Sequence, residues 1–137
     1  ICVGGINRNS AIWSGSSKGD DDGRIWPNPI LPRSDPDMKP EIVAPGNEVP
    51  VLMAGDVGND AWWGWSSGTS ASTAWVAGSL AILLEHEPGL QRENSQGRQG
   101  IEEVKIRLME SSQMMEGQTE HDDHYGYGHI RLDLLIN

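Results

Sequence analysis

The sequence predicts an α/β fold, and three observations carry that prediction. Two short apolar runs, residues 1–6 and 40–46, are typical of buried strands. Residues 70–87 contain no proline and repeat apolar side chains at helical spacing. Residues 101–112 carry a narrower apolar stripe, which predicts a second helix. Short strands followed by helices are typical of a sheet with helices packed against it.

The segments between these elements are rich in turn-forming residues. Residues 14–39 contain many Gly, Ser, Asp and Pro residues and predict a long surface loop. Residues 50–53 predict another brief strand, and residues 54–69 are turn-rich. Near the end of the chain, residues 125–128 (Y-G-Y-G) predict a turn, and residues 129–136 predict a short helix or strand.

The helix predicted over residues 70–87 differs from the second one. It is apolar on all sides over residues 76–84, which predicts a central helix rather than a surface helix. Pro88 and Gly89 end it. In the helix predicted over residues 101–112, Glu102 and its acidic neighbour suit the positive N-terminal end.

The composition of the chain argues against nucleic-acid binding and against a membrane span. The chain of 137 residues has a formal charge of -10, which argues against nucleic acid as a partner. Its apolar runs are far shorter than the about 20 residues of a membrane span. Cys2, the only cysteine, excludes an internal disulfide and is expected to be a small core residue. The first residues do not resemble a signal peptide, and their apolar start without Met is expected of a cut or processed chain.

Residues 66–78, S-S-G-T-S-A-S-T-A-W-V-A-G, place a serine at the predicted start of the central helix. Gly68 allows a tight turn and the close approach of a substrate. A helix start leaves backbone N–H groups unpaired, so the N–H of Ser70 is suited to bind an oxyanion. The alternative role for Ser70 is an ordinary helix N-cap.

These residues resemble the nucleophile signature of the subtilisin-like serine proteases. The resemblance rests on G-T-S-A-S followed by V-A-G six residues after Ser70. Three further matches lie in the family's order along the chain: K-P-E-I-V-A-P-G (39–46), I-C-V-G-G-I (1–6) and the turn from Tyr127 to Ile130. Together the four matches span nearly the whole chain.

The resemblance implies that residues 1–137 are the C-terminal portion of a subtilisin-like peptidase domain. It implies a mostly parallel sheet flanked by helices, with the nucleophile on a central helix. It also implies a serine endopeptidase that hydrolyses peptide bonds through an acyl-enzyme on Ser70, with Gly68 and Thr69 completing the oxyanion and nucleophile turn. No cofactor is required, and secretion is favoured.

The family's chain order is Asp, His, Ser, so the Asp, the His and the side-chain oxyanion donor Asn are expected in an N-terminal part absent from this chain. That part is the expected partner, as a separate or cleaved chain, beside a peptide or protein substrate. All four histidines follow Ser70 in the sequence: His86, His121, His124 and His129.

Two departures keep other functions open. Ala74 and Trp75 stand where the family has Pro and His, which leaves an inactive scaffold or binding module as an alternative. An α/β-hydrolase esterase is a second alternative, because its order of Ser, acid and His fits the histidines. Its G-x-S-x-G elbow would need Gly at Ser72 and a strand before it, and W-W-G-W-S-S predicts a poor strand.

Three other clusters have both a functional and a structural interpretation. Asp20, Asp21 and Asp22 are candidate calcium ligands, although adjacent acids in a turn are commonly solvated. The cluster at residues 121–124, H-D-D-H, meets no known ligand spacing and predicts a solvated loop. Three tryptophans either line a substrate cleft or pack over the central helix: Trp62, Trp63 and Trp65.

Overall fold

A computed structural model describes residues 1–20, 33–54 and 63–137. Its strands are β1 (Val3–Ile6), β2 (Ile42–Pro45), β3 (Val49–Leu52) and β4 (Trp63–Ser66). Its α-helices are α1 (Thr69–His86), α2 (Gln99–Ser111) and α3 (Leu132–Leu135), with a 3-10 turn at Pro88–Leu90. The strands predicted over 1–6, 40–46 and 50–53 and the helices predicted over 70–87 and 101–112 are confirmed at those places.

The described strands form two separate pairs. β1 and β2 are parallel, with Val3 opposite Ile42 and Ile6 opposite Pro45. β3 and β4 are antiparallel. The prediction of a mostly parallel sheet is therefore met by one pair only. A short connection joins β3 to β4, whereas a parallel crossover needs a dozen or more residues and usually a helix.

Strand β4 was not predicted, since residues 54–69 predict turns and W-W-G-W-S-S predicts a poor strand. That prediction is wrong for Trp63–Ser66. Tryptophan favours strands, and here the alternation places Trp63 opposite Leu52 and Trp65 opposite Pro50. Trp63 and Trp65 stay 59% and 63% exposed, so cross-strand pairing rather than burial accounts for the strand.

The core lies where α1 packs on the β1–β2 pair, and buried residues of α2 and α3 belong to the same cluster. Its buried members are apolar: Ile42, Ala44, Val76, Leu83, Leu108, Ile130 and Leu135. Helix α1 buries only one side in this chain. Trp75 and Ile82, on its other side, remain 46% and 43% exposed. The all-round apolar helix is thus covered along one face by the described residues.

A buried carboxylate joins α2 to the parallel pair. Glu41 is 1% exposed and accepts hydrogen bonds from the Cys2 backbone N–H at 2.7 Å and from Lys39 Nζ. Lys105 Nζ of α2 lies 3.6 Å from Glu41 and also donates to Asp37, which lowers the pKa of Asp37. Cys2 itself is exposed rather than a core residue, because it precedes the first residue of β1.

We expect Glu41→Ala to destabilise the complete protein by about 1 to 3 kcal/mol, since it removes a buried carboxylate to which the Cys2 N–H and Lys39 donate. Urea denaturation measures the change. The matched control is Glu102→Ala, because Glu102 forms an exposed ion pair with Arg98 within α2 and should cost at most about 0.5 kcal/mol. Equal small losses of stability in both variants would contradict the stabilising role of the buried Glu41 carboxylate.

Candidate nucleophile site

Helix α1 is preceded by a glycine whose backbone conformation few other residue types adopt. Gly68 is the N-cap, with φ 155° and ψ 153°. This extended region at positive φ is accessible essentially only to glycine. The alternative that Ser70 is the N-cap is therefore wrong, because the helix starts at Thr69 and Ser70 is its second residue.

Ser70 lies in the first turn of α1 with an exposed side chain. The Gly68 carbonyl accepts from the N–H of Ala71 at 3.0 Å and of Ser72 at 3.4 Å. The N–H of Ser70 lies at the positive end of the helix dipole, where helical carbonyls are not available to accept it. No described residue forms a hydrogen bond with the Ser70 hydroxyl. The site thus presents a free hydroxyl beside an N–H suited to an anion.

Three separate segments meet at Gly46, the last residue of A-P-G. Its N–H donates to the Ile6 carbonyl at 2.9 Å, and its carbonyl accepts from the Gly68 N–H at 2.7 Å. A Cβ at position 46 would lie 2.9 Å from Gly5 Cα, so only glycine fits there without a shift. This junction, Gly46 with Ile6 and Gly68, fixes the turn before Ser70 against the end of β1.

Ser72 lies beneath this junction. It is fully buried, and its hydroxyl has no hydrogen-bond partner among the described residues. The hydroxyl lies against the backbone of Gly5 and Gly46. A residue larger than serine would push these backbones apart, which explains the small side chain at this position.

Sequence reasoning missed a second contact to the same turn. Glu48 has φ 51°, which is uncommon for any residue with a side chain. Its backbone N–H donates to Ser67 Oγ at 2.9 Å, and Ser67 Oγ lies 3.4 Å from Asn47 Oδ1. The residue type at position 48 gave no signal, since glutamate is not typical of positive φ.

The model of the subtilase family matches residues 1–128 of this chain. The chain belongs to the subtilase family. This membership excludes the α/β-hydrolase alternative and agrees with the mixed α/β architecture.

Two solved structures are similar to this subtilase chain over 98% of its length. One is the CspB protease of Clostridium perfringens, with a TM-score of 0.67 and 23% identity. The other is MycP1 with its N-terminal propeptide removed, with a TM-score of 0.64 and 19% identity. At these identities the likeness shows the fold. The chain spans 25% and 35% of the length of those two proteins.

The four histidines of this subtilase chain have other surroundings. His86 ends α1, about 24 Å along the helix axis from Ser70. His121 Nε2 lies 2.9 Å from the Pro40 carbonyl, and its ring packs edge-on against Tyr127. Burial, and then Arg131, lower the pKa of His129. None of these four described histidines is hydrogen-bonded to Ser70.

The remaining sequence candidates are only partly described. Trp63 and Trp65 contact each other edge-on, with ring centroids 5.4 Å apart, and are too exposed to be buried against α1. Trp62 lies outside the described residues, as do Asp21 and Asp22. Within residues 1–20, 33–54 and 63–137, no group of three His, Cys, Asp or Glu residues could hold a metal.

The loop at residues 121–124 is held by the side chain of Asp122. Asp122 Oδ1 accepts from the N–H groups of His124 and Tyr125 at 2.8 and 2.9 Å. The turn predicted at residues 125–128 is confirmed by a Gly128 N–H to Tyr125 carbonyl hydrogen bond of 3.0 Å. Among the described helices, none is long and apolar enough to cross a membrane.

Proposed function

We propose that this chain is the C-terminal part of a subtilase catalytic domain that hydrolyses peptide bonds as a serine endopeptidase, with Ser70 as the nucleophile. The observation that carries the proposal is the exposed Ser70 hydroxyl in the first turn of α1, directly after the Gly68 N-cap. Gly68, Thr69 and Ser70 form the turn on which the reacting carbonyl would lie.

The proposed reaction uses the position of Ser70 at the start of α1. Ser70 Oγ attacks the scissile carbonyl carbon while a histidine accepts its proton. The negative charge on the carbonyl oxygen is stabilised by the Ser70 N–H and by the dipole of α1. The histidine then protonates the leaving amine, and the acyl-enzyme forms. Water, deprotonated by the same histidine, hydrolyses the ester and regenerates Ser70.

In this proposal the histidine, the aspartate and the side-chain oxyanion donor belong to a partner region, the N-terminal part of the catalytic domain. Two observations support this partner. The four histidines of the chain have other partners or lie elsewhere, as described above. Trp75 and Ile82 expose an apolar side of α1, and together with Pro50 they line a groove of about 460 Å³ between α1 and β3. A second part of the domain would cover that groove.

A fluorophosphonate probe tests the proposal, because it reacts with an activated serine. The complete protein should be labelled on Ser70 in a peptide map of the product. Absence of labelling would favour the alternative of an inactive subtilase scaffold, which the departures at Ala74 and Trp75 from the family's Pro and His keep open.

Calcium at Asp20, Asp21 and Asp22 also remains a prediction. Carboxylate oxygens in a loop are the ligands that calcium prefers. If these residues hold the ion, a chelator should lower the melting temperature of the complete protein by several degrees. The variant with all three changed to Asn should melt lower and be insensitive to the chelator. An unchanged melting temperature of the unmodified protein with chelator would support the solvated loop instead.

A further inference from the structure

We propose that Ser67 and Glu48 are positioning residues that hold the turn before Ser70 in its reactive geometry. The inference rests on the proposed function of Ser70 and concerns what sets the rate at that residue. We call the segment from Gly46 to Glu48, together with its contacts to Ser67 and Gly68, the brace.

The first observation is a backbone conformation that needs support. A non-glycine residue in the left-handed region is strained and persists where its surroundings enforce it. Glu48 is such a residue, with φ 51°. The turn between β2 and β3 is thus held in a shape that its own sequence does not favour.

The second observation is what that shape achieves. It directs the Glu48 N–H at Ser67 Oγ, 2.9 Å away, while the Gly46 carbonyl accepts from the Gly68 N–H at 2.7 Å. Two consecutive residues of the nucleophile turn are therefore each tied to the same loop. Ser67 Oγ in turn lies within hydrogen-bond distance of Asn47 Oδ1 at 3.4 Å. The brace therefore contacts the chain two and three residues before Ser70.

The carboxylate of Glu48 makes a further contact. It accepts from Arg8 Nη2 at 2.6 Å, just beyond the end of β1. Both side chains are largely exposed, so the ion pair is worth little by itself. The brace therefore depends on the hydrogen bonds that the Glu48 N–H and the Gly46 carbonyl form with Ser67 and Gly68.

The kinetic consequence follows from the geometry of attack. Catalytic groups act when held within about 0.5 Å of the productive position, and a displacement of about 1 Å can cost on the order of 100-fold in rate. Ser70 sits where a turn enters a helix, and Gly68 supplies no side chain to fix that turn. Loss of the Ser67 hydroxyl would let residues 67–69 relax and would misplace Oγ more than it would weaken substrate binding.

The test uses the complete protease with its N-terminal part, a small peptide substrate and the fluorophosphonate probe. Ser67→Ala should lower kcat by about 10- to 100-fold with KM within about twofold, and should slow labelling of Ser70 by a similar factor. Ser67→Thr, which keeps the hydroxyl, should recover most of the rate. The matched control is Ser66→Ala, since the neighbouring Ser66 hydroxyl has no hydrogen bond with any described residue.

A second pair of variants isolates the backbone of position 48. Glu48→Gly and Glu48→Val both remove the carboxylate, but only glycine adopts positive φ without strain. The kcat of the glycine variant should be at least about tenfold higher than that of the valine variant.

The outcomes separate the two proposals. If the unmodified protease is labelled and Ser67→Ala matches its kcat and labelling rate while only its melting temperature falls, the brace is merely structural and the inference is overturned. Equal kcat in the two Glu48 variants would also overturn it. If the unmodified protease is not labelled at all, the proposed function fails and the inference fails with it.

Discussion

Ser70→Ala is expected to abolish peptide hydrolysis by the complete protein while leaving its stability almost unchanged. Removal of the nucleophile costs subtilisin about a million-fold in kcat, and we expect a loss of that order here. The fold should tolerate the change, because the Ser70 side chain is exposed and makes no hydrogen bond with a described residue. Its free energy of unfolding should move by no more than about 0.5 kcal/mol.

Cleavage of a fluorogenic peptide and urea denaturation measure these two quantities. Thr73→Ala is a suitable control for the helix itself. Thr73 is exposed in the first turns of α1, and among the described residues its hydroxyl donates only to the Thr69 carbonyl, at 2.8 Å. It should retain activity within a fewfold. Turnover by Ser70→Ala above about one percent of the unmodified protein would disprove the role of Ser70.

The second large effect concerns the chain by itself. Residues 1–137 purified alone should not hydrolyse peptides, because none of the described histidines contacts Ser70 and a serine hydroxyl without a base is a weak nucleophile at neutral pH. Adding the N-terminal part should restore cleavage. The reconstituted interface should be large and apolar, since it would cover the exposed side of α1 around Trp75 and Ile82.

Replacing Ile82 by Lys tests this interface. It places a charge on the exposed side of α1, far along the helix from Ser70, and should weaken reassembly by at least about tenfold. Titration of the N-terminal part against peptidase activity measures the change. Hydrolysis by residues 1–137 without any partner would overturn the prediction and reopen the search for a base among His121, His124 and His129.

The sequence predicted the described helices well because their signals are local. The absence of proline from residues 70–87 and the following Pro88 bound α1 closely. Strand β4 was missed for the opposite reason. Its tryptophans lie in a turn-rich segment, and the partner residues that hold them, Pro50 and Leu52, are contributed by another strand. Pairing between strands is not visible in the sequence of one of them.

The sequence predicted one part of the candidate site and missed another. The motif G-T-S placed Ser70 at a helix start, and the structure agrees on that placement. The contacts of Glu48 and Ser67 could not be predicted, because a positive φ at glutamate contradicts the residue's usual preference. The extent of the parallel sheet was overstated, since the described residues provide only β1 and β2 of it.

The junction at Gly46 has a consequence for how this protein tolerates change. Three stretches of chain converge there through main-chain hydrogen bonds, so the junction needs small residues at positions 46 and 72 but no particular polar side chain. Lengthening the segments between β1 and β2, or between β3 and β4, alters neither partner of these hydrogen bonds. The entropy of closing a longer loop grows slowly, by about 0.6 kcal/mol for each doubling. Longer connections between these strands can therefore be accommodated while the turn before Ser70 keeps its register.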